Sequence, residues 1–262
     1  MHLLVFIFVA IIRSATLSAA CPHLFSRSYH EGCFTYAGRS NSFCEAAEKC
    51  VRLGKGVNAI TYLVGRNSPK VLGSTMQFWT GVNQLLVFRN KTRSGWYDVN
   101  PHKPEYTTGS DIQWEETPSD ERGPVTFYKQ ADKSFHEKPT LLSTDRLSVV
   151  CEYGSRFATT IAKTKFQSNF PVHLDKLIQP NPNLKGCFAG ILTQVTRIEC
   201  AFACARNFAC RSVYYNELSD ECFRTMYADS LLAGNLTKLE NGWTRFAKTA
   251  IPIFRVRLNG DN

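Results

Sequence analysis

The cysteines are the residues of this sequence whose number and spacing most directly predict chemistry. There are ten, an even number. An even set of cysteines in an exported chain predicts disulfides, and thiolates rarely persist in an oxidising compartment. The four clustered cysteines of the second half also lack the paired Cys-x2-Cys units that are typical of zinc sites. We therefore expect disulfides among Cys21, Cys33, Cys44, Cys50, Cys151, Cys187, Cys200, Cys204, Cys210 and Cys222.

Histidine, serine and glycine patterns give no sign of catalysis. Five histidines follow residue 20, and none lies in a His-Glu-x-x-His zinc motif. The sequence contains neither a Gly-x-Ser-x-Gly nucleophile elbow nor a glycine-rich phosphate loop. A triad built from distant residues is recognised only by its geometry. We expect a protein that is not an enzyme.

The first 20 residues are typical of an export signal. An apolar run covers residues 3 to 12, and small residues at 18 to 20 precede Cys21, where signal peptidase would cut. No later segment reaches the roughly 20 apolar residues of a membrane helix. We predict a signal peptide at residues 1–20 and a secreted, extracellular protein without a transmembrane segment. Sequons at Asn90 and Asn235 predict a glycoprotein.

The net charge of +9 is concentrated in the second half of the chain. Residues 155 to 262 contain 14 Lys and Arg against 8 Asp and Glu, which leaves +6 there. Outside the cell, such a charge favours sulfated glycans or anionic surfaces over nucleic acid as partners. The alternative is that the basic balance only aids solubility.

Two elements of the first half carry clear local signals. Ser42 and Glu45 form a capping-box pattern, which predicts a helix that runs through Leu53 and stops at Gly54. Residues 78 to 83, Phe-Trp-Thr-Gly-Val-Asn, are aromatic on both faces of an extended chain, which indicates a strand buried on both sides. Further strands are expected at residues 34–36, 57–62 and 147–152.

Residues 84 to 146 are polar and poor in periodicity. A structureless loop of this length inside a compact domain is usually functional. We expect Trp79 and Trp96 to lie in the core. The better surface candidates are Tyr97, Tyr106 and Trp114.

The order of these features resembles the long form of the C-type lectin-like domain, over residues 21 to 153. The resemblance is carried by Cys-Pro at 21–22, the helix that ends near Cys50, residues 78–83, Gly-Trp-Tyr-Asp at 95–98, Trp114, and Val-Val-Cys-Glu at 149–152. It implies the disulfides Cys21–Cys33 and Cys50–Cys151, and a domain that binds extracellular carbohydrate or protein.

The chain departs from this family where the family binds calcium. No cysteine lies between Cys50 and Cys151, so the pair that staples the long loop is absent. The family's Glu-Pro-Asn and Trp-Asn-Asp motifs correspond to Glu-Thr-Pro-Ser-Asp at 116–120 and Ser-Thr-Asp at 143–145. Calcium needs six to eight oxygen ligands. We expect at best a degenerate calcium site and no required cofactor, with ligand contacts from Trp114, Glu116, Ser119, Asp120, Glu121 and Asp145.

In the second half, Thr196 and Glu199 form another capping-box pattern, before a helix that carries Cys200 and Cys204 on one face. Strands are expected at residues 156–162, 211–215 and 243–247. The spacing Cys-x3-Cys-x5-Cys-x11-Cys, preceded by Gly-Cys-Phe at 186–188, resembles a PAN/apple domain. That resemblance implies the disulfides Cys200–Cys222 and Cys204–Cys210. We place this domain at residues 154–250 and a C-terminal tail at 251–262.

Cys44 and Cys187 are left over, one in each predicted domain. Cys44 is too far from Cys50 along the helix for those two to bond. We favour a disulfide between Cys44 and Cys187, and the alternatives are disulfide-linked dimers or free thiols.

The sequence thus predicts an α+β recognition protein, a lectin-like domain followed by a PAN/apple domain pinned by disulfides. The first hypothesis places ligand binding on the long loop from Trp114 to Asp145. The second is an adhesion or matrix-anchoring protein that meets sulfated polysaccharide through basic residues of the second half, namely Lys163, Lys165, Arg206, Arg211, Arg255 and Arg257.

Overall fold

The computed structural model describes residues 21–27, 32–73, 75–87, 95–101, 106–107, 112–116, 123–157, 164–171, 173–174, 186–232 and 242–249. Within these ranges it contains a nine-stranded sheet, a four-stranded sheet and two α-helices. This is an α+β architecture, as predicted. The predicted signal peptide, both sequons and the predicted tail at 251–262 lie outside the described residues.

The larger sheet occupies the first part of the chain. Its strands are β1 (Ser26–Arg27), β2 (Cys33–Ser42), β3 (Ala59–Leu63), β4 (Gln77–Asn83), β5 (Trp96–Asp98), β6 (Tyr106–Thr107), β7 (Val125–Lys129), β8 (Ser134–Lys138) and β9 (Leu142–Arg156). The order is β1-β2-β9-β4-β5-β6, while β3 pairs with β9 and β7 pairs with β4 and β8. The long strands β2 and β9 are antiparallel neighbours, so the two ends of this part of the chain meet.

Helix α1 (Phe43–Gly56) begins where the sequence predicts it. The Ser42 hydroxyl accepts a hydrogen bond from the Glu45 backbone N–H. The Glu45 carboxylate accepts a hydrogen bond from the hydroxyl of Ser40, which lies two residues before the cap, at 2.7 Å. The buried face of the helix, which includes Phe43 and Cys50, packs into the core with Trp79 of β4.

The helix does not stop at Gly54 as predicted. It continues to Gly56, and Asn58 adopts the left-handed conformation with a φ of 52°. A Cβ atom on Gly54 would clash with the carbonyl oxygen of Ala59 and with the hydroxyl of Thr61. Glycine is therefore required at position 54 because strand β3 passes close to the helix.

Strand β4 is buried on both faces, as predicted. Phe78 and Trp79 are both fully buried and belong to different apolar clusters. The indole N–H of Trp79 donates to the carbonyl oxygen of Ser40 at 3.0 Å. A Cβ atom on Gly81 would lie 2.7 Å from the carbonyl oxygen of Leu63, so this glycine permits the close approach of a neighbouring strand.

The expectation of a structureless stretch from 84 to 146 is wrong, because β5, β6, β7, β8 and the start of β9 lie within it. Strands β7 and β8 form an antiparallel hairpin in which Val125 faces Lys138 and Lys129 faces Ser134. The hairpin extends the sheet beyond β4. Its strands are rich in β-branched and aromatic residues, which favour the pleated, half-buried surface of a sheet.

The smaller sheet occupies the second part of the chain and has the order β10-β13-β11-β12. Its elements are β10 (Phe166–Gln167), helix α2 (Arg197–Ala205), β11 (Cys210–Asn216), β12 (Glu221–Met226) and β13 (Trp243–Lys248). The predicted capping box between Thr196 and Glu199 is present in full. Arg156, the first residue of the strand predicted at 156–162, ends β9 of the larger sheet, and residues 158 to 162 of that prediction lie outside the described residues. The resemblance to a PAN/apple domain stays a prediction.

All ten cysteines are bonded. The five disulfides join the same pairs that the two resemblances and the leftover cysteines suggested: Cys21–Cys33, Cys44–Cys187, Cys50–Cys151, Cys200–Cys222 and Cys204–Cys210. Each sheet is thereby tied to its own helix, and Cys44–Cys187 ties the two sheets to each other. In the described ranges, no helix is long and apolar enough to cross a membrane.

Candidate ligand-binding surfaces

Two aromatic residues expected at the surface are packed inward. Tyr97 is only 7% exposed. The Trp114 ring is half-buried, with its centroid 5.0 Å from that of Trp96 and 6.3 Å from that of Phe135. Tyr97 packs in an apolar cluster with Leu86 and Leu231, and Trp114 packs at the edge of a second cluster. The surface expectation is therefore wrong for Tyr97 and met only in part by Trp114. Tyr106 lies in β6, and its side chain is outside the described part.

The acidic residues predicted as degenerate calcium ligands are only partly described. Glu116 is exposed. Among the side chains that the structure describes, no three of His, Cys, Asp or Glu come together as a metal site would require. The other candidates, Ser119, Asp120, Glu121 and the side chain of Asp145, lie outside the described part.

Next to Trp114, a polar network surrounds His136 of strand β8. Its Nδ1 lies 2.6 Å from Oε2 of Glu115, and its Nε2 lies 3.1 Å from Oδ2 of Asp132. The Ser134 hydroxyl lies 3.0 Å from the same Nε2, so a serine, a histidine and a carboxylate are in line. The Ser134 hydroxyl donates to Oδ1 of Asp132 at 2.7 Å.

This network is best explained as a structural one. Ser134 is 4% exposed, and a hydroxyl has only one proton to donate, which here is directed at Asp132. Burial alone would raise the pKa of Asp132, but its hydrogen bonds to Ser134 and Lys129 and the nearby His136 lower that pKa to about 2. A fully ionised Asp132 therefore anchors the tip of the β7–β8 hairpin.

The basic surface predicted for the second half is only partly present. Lys165 and Arg206 are exposed, and the Arg206 guanidinium lies 5.6 Å above the Phe202 ring. The prediction is wrong for Arg211, whose guanidinium donates to two backbone carbonyl oxygens and does not extend from the surface. The remaining members, Lys163, Arg255 and Arg257, lie outside the described residues.

Arg211 lies at the junction between the two sheets. Its Nη2 donates to the carbonyl oxygen of Val99 at 2.7 Å, and its Nε donates to that of Tyr227 at 3.1 Å. Burial lowers the pKa of Arg211 to about 10, although the charges of Asp229 and Asp98 oppose the shift. The guanidinium is thus used to join the two parts of the molecule.

Three further contacts cross this junction. The Leu231 N–H donates to the carbonyl oxygen of Leu85 at 2.9 Å. The rings of Phe157 and Phe208 stack with centroids 4.0 Å apart. The Cys44–Cys187 disulfide adds a covalent link. Backbone, aromatic and covalent contacts together hold the two sheets against each other.

Two carboxylates near the junction are buried, and the sequence predicts neither of them as a site residue. Asp98 is 5% exposed and accepts from the backbone N–H groups of Arg66 and Asn100 at 2.9 and 3.0 Å. Glu152 is 7% exposed and accepts from the Asn67 side-chain amide at 2.6 Å. Burial is the main cause that raises the pKa of both groups, and Asp98 helps to raise that of Glu152 to about 7.

An open groove lies on the outer part of the larger sheet, at residues that the sequence analysis did not select. Two concavities of about 360 and 650 Å³ meet at Tyr36 of β2 and Met76. Tyr36 is 55% exposed and Leu72 is 59% exposed. We call this surface the Tyr36 groove, and define it by Tyr36, Arg39, Leu72, Met76, Gln77 and Arg146.

Sequence comparison finds no relative, since no protein-family model and no curated protein matches the chain. Solved structures do match. Ovocleidin-17, a major protein of the Gallus gallus eggshell calcified layer, is 19% identical with a TM-score of 0.33, over 52% of this chain and 100% of that chain. A calcium-independent type II antifreeze protein is 15% identical with a TM-score of 0.34, over 51% and 93%.

Human lithostathine gives a similar result, with 14% identity and a TM-score of 0.33 over 56% of this chain and 99% of that chain. The matching structures are C-type lectin-like domains, and each corresponds to about half of this chain. At these TM-scores the comparison assigns no family to the chain.

Proposed function

We propose that this is a secreted, non-enzymatic recognition protein that binds an extracellular carbohydrate or protein with weak or no calcium dependence. The observation that carries the proposal is the disulfide pattern of the larger sheet. Cys21–Cys33 closes the first hairpin and Cys50–Cys151 ties helix α1 to strand β9. These are the two bonds implied by the resemblance to C-type lectin-like domains.

Secretion is supported by the cysteine chemistry. All ten cysteines are in disulfides, and structural disulfides form and persist in oxidising compartments. The predicted signal peptide leads to the same compartment. A binding surface carried by five cross-links loses little conformational freedom when a ligand binds, which favours affinity.

The weak calcium dependence is supported by the residues around Trp114. The Glu115 side chain contacts His136, and the Trp114 ring is packed against the core. The Glu115 and Trp114 side chains therefore hold the fold together next to Glu116, which is exposed. The sequence keeps the motif carboxylates at Glu116 and Asp145 but lacks both motif asparagines and the loop-stapling cysteine pair, whereas calcium needs six to eight oxygen ligands.

The alternative, an adhesion protein that binds sulfated polysaccharide mainly through the second half, is disfavoured by one observation. Arg211 is one of the six residues predicted for that basic surface, and its guanidinium donates to Val99 and Tyr227 at the junction. A guanidinium that donates to backbone carbonyl oxygens has fewer N–H groups left to bind a polyanion.

The proposal is tested by screening the disulfide-intact mature protein against arrays of glycans and extracellular proteins, once with millimolar calcium and once with EDTA. We expect specific binding of at least one glycan or protein in both buffers. Absence of any binding would contradict the recognition role. Turnover on a broad panel of hydrolase substrates would contradict the non-enzymatic role.

A further inference from the structure

We infer that the Tyr36 groove binds an acidic oligosaccharide, one that carries sulfate or carboxylate groups. This inference rests on the proposed function and adds a site and a ligand class to it. The site lies on strand β2 and on the segment that leads into β4, and not on the predicted loop from Trp114 to Asp145.

The shape of the groove suits a chain of sugar rings. Its two concavities, of about 360 and 650 Å³, fall in the range of ligand sites in proteins. They share Tyr36 and Met76 in their linings and are therefore neighbours, so an occupant longer than one ring could reach both. The exposed face of the Tyr36 ring offers an apolar platform with a polar tip, on which the C–H face of a pyranose packs.

The charge around the groove is positive. Arg39 and Arg146 are both exposed, both line the larger concavity, and the Arg146 guanidinium donates to the backbone carbonyl oxygen of Arg39 at 3.4 Å. Among the described residues that line either concavity, none is Asp or Glu. In the described part of the chain, neither arginine forms an ion pair. Two guanidinium groups are therefore available for bidentate contact with sulfate or carboxylate oxygens.

One carboxylate lies nearby, and it is already engaged. Glu45 lies 3.1 Å from Nζ of Lys49 and also accepts from the Ser40 hydroxyl. Lys49 itself donates to the Arg39 carbonyl oxygen at 2.6 Å. The rim therefore keeps a net positive charge, which attracts an anionic ligand.

The remaining polar residues of the groove suit sugar hydroxyls. Thr75, Gln77 and Ser148 line the larger concavity, and their hydroxyl and amide groups both donate and accept hydrogen bonds. A mixture of one exposed aromatic ring, small polar side chains and two arginines matches the mixed surface of an acidic sugar, which has C–H, hydroxyl and anionic parts.

A peptide added as a strand to the edge of β2 is a poorer match. The pairing of β2 with β9 shifts register between Tyr36 and Arg39 and again between Ser40 and Ser42. Gly38, inside the first shift, has a φ of +84°. Such bulges twist an edge strand and interrupt the row of backbone groups that an added strand would need.

The test measures binding of sulfated dextran oligosaccharides to the mature protein by calorimetry at physiological salt, with uncharged dextran and poly-aspartate as comparison probes. The variants are Tyr36→Ala, Tyr36→Phe and the double variant Arg39→Gln/Arg146→Gln. The matched control is Arg52→Gln/Arg156→Gln, which removes the same charge at two exposed positions outside the groove. Thermal melts check that each variant folds.

We expect the Arg39/Arg146 variant to bind sulfated dextran about tenfold more weakly, and the control about as well as the wild type. The Tyr36→Ala variant should also bind sulfated dextran more weakly. The Tyr36→Phe variant should bind it about as well as the wild type because the ring is kept. Uncharged dextran should bind far more weakly than the sulfated form.

Equal losses in the double variant and its control would overturn the site, because bulk charge would then explain binding. Tight binding of poly-aspartate would overturn the saccharide assignment. If sulfated dextran does not bind while the array still identifies a ligand, the inference fails and the proposed function stands. If no array ligand binds either, the proposed function fails with it.

Discussion

The guanidinium of Arg211 and the carbonyl oxygen of Val99 are joined by a 2.7 Å hydrogen bond, although the two residues are 112 positions apart. The same side chain also donates to Tyr227 of its own half. A residue of the predicted basic surface is therefore part of the junction between the sheets.

Replacing Arg211 with methionine should destabilise the protein. The variant keeps the apolar stem but leaves two partly buried carbonyl oxygens without a donor, which costs about 1–3 kcal/mol. Urea unfolding measures the loss. Arg206→Met, at an exposed position, is the control and should change stability by no more than about 0.5 kcal/mol. Equal effects of the two substitutions would contradict the role of Arg211 at the junction.

The Cys44–Cys187 link predicts a specific chemical product. Digestion without reduction should release a peptide pair that joins these two cysteines. Recovery of either cysteine as a free thiol, or in a bond between two molecules, would rule the link out. Loss of the bond in the double variant to serine should lower stability by up to about 5 kcal/mol, the value of the chain-entropy model for a loop of this length.

Glu152 should make stability depend on pH. Its folded pKa of about 7 lies above the ordinary value of 4.5, chiefly because the group is buried. The folded state therefore holds this proton more tightly than the unfolded state, so the contribution is present below about pH 4.5 and is lost as the pH rises through 7.

Glu152→Gln should remove this pH dependence. Relative to the variant, the wild type should lose about 3 kcal/mol between pH 4 and pH 8, which is of the order that such a pKa difference implies. Urea unfolding across this range measures it. Glu217→Gln, at an exposed carboxylate, should keep the slope of the wild type. A Glu152→Gln variant with an unchanged slope would contradict the assignment.

Gly54 and Gly56 lie two residues apart in α1 and should respond in opposite ways to alanine. A Cβ at position 54 would clash with Ala59 and Thr61, whereas nothing lies within 4 Å of one at position 56. We expect Gly54→Ala to destabilise by about 1–3 kcal/mol, and Gly56→Ala to stabilise by up to about 1 kcal/mol. Thermal melts of the two variants measure these changes in stability. A Gly54→Ala variant as stable as the wild type would contradict the close approach of β3 to helix α1.

Local signals predicted part of this fold. The starts of both helices follow from the caps at Ser42 and Thr196, and β4 follows from its two-sided aromatic pattern. The end of α1 was mispredicted because the reason for Gly54 is a clash with β3, which is a tertiary contact. The residues of β7 from Val125 to Lys129 are good strand formers, but the polar, proline-containing segments on either side hide this short pattern, so the sequence does not predict the β7–β8 hairpin.

The candidate sites were harder to predict than the fold. In the sequence, Arg211 resembles any surface arginine, and its role at the junction follows only from its contact with Val99. No residue near Glu152 in the sequence predicts that its carboxylate is buried. Tyr36 was placed on a strand, but its exposure depends on which neighbours cover β2. Such properties arise from contacts between distant segments, and fold class alone does not specify them.

The most direct test of calcium-independent recognition is the dissociation constant of the best array ligand, measured by calorimetry in millimolar calcium and again in EDTA. The account predicts two values that agree within about twofold. Binding that weakens more than about tenfold in EDTA would show that a cation site takes part in recognition, and would contradict the account.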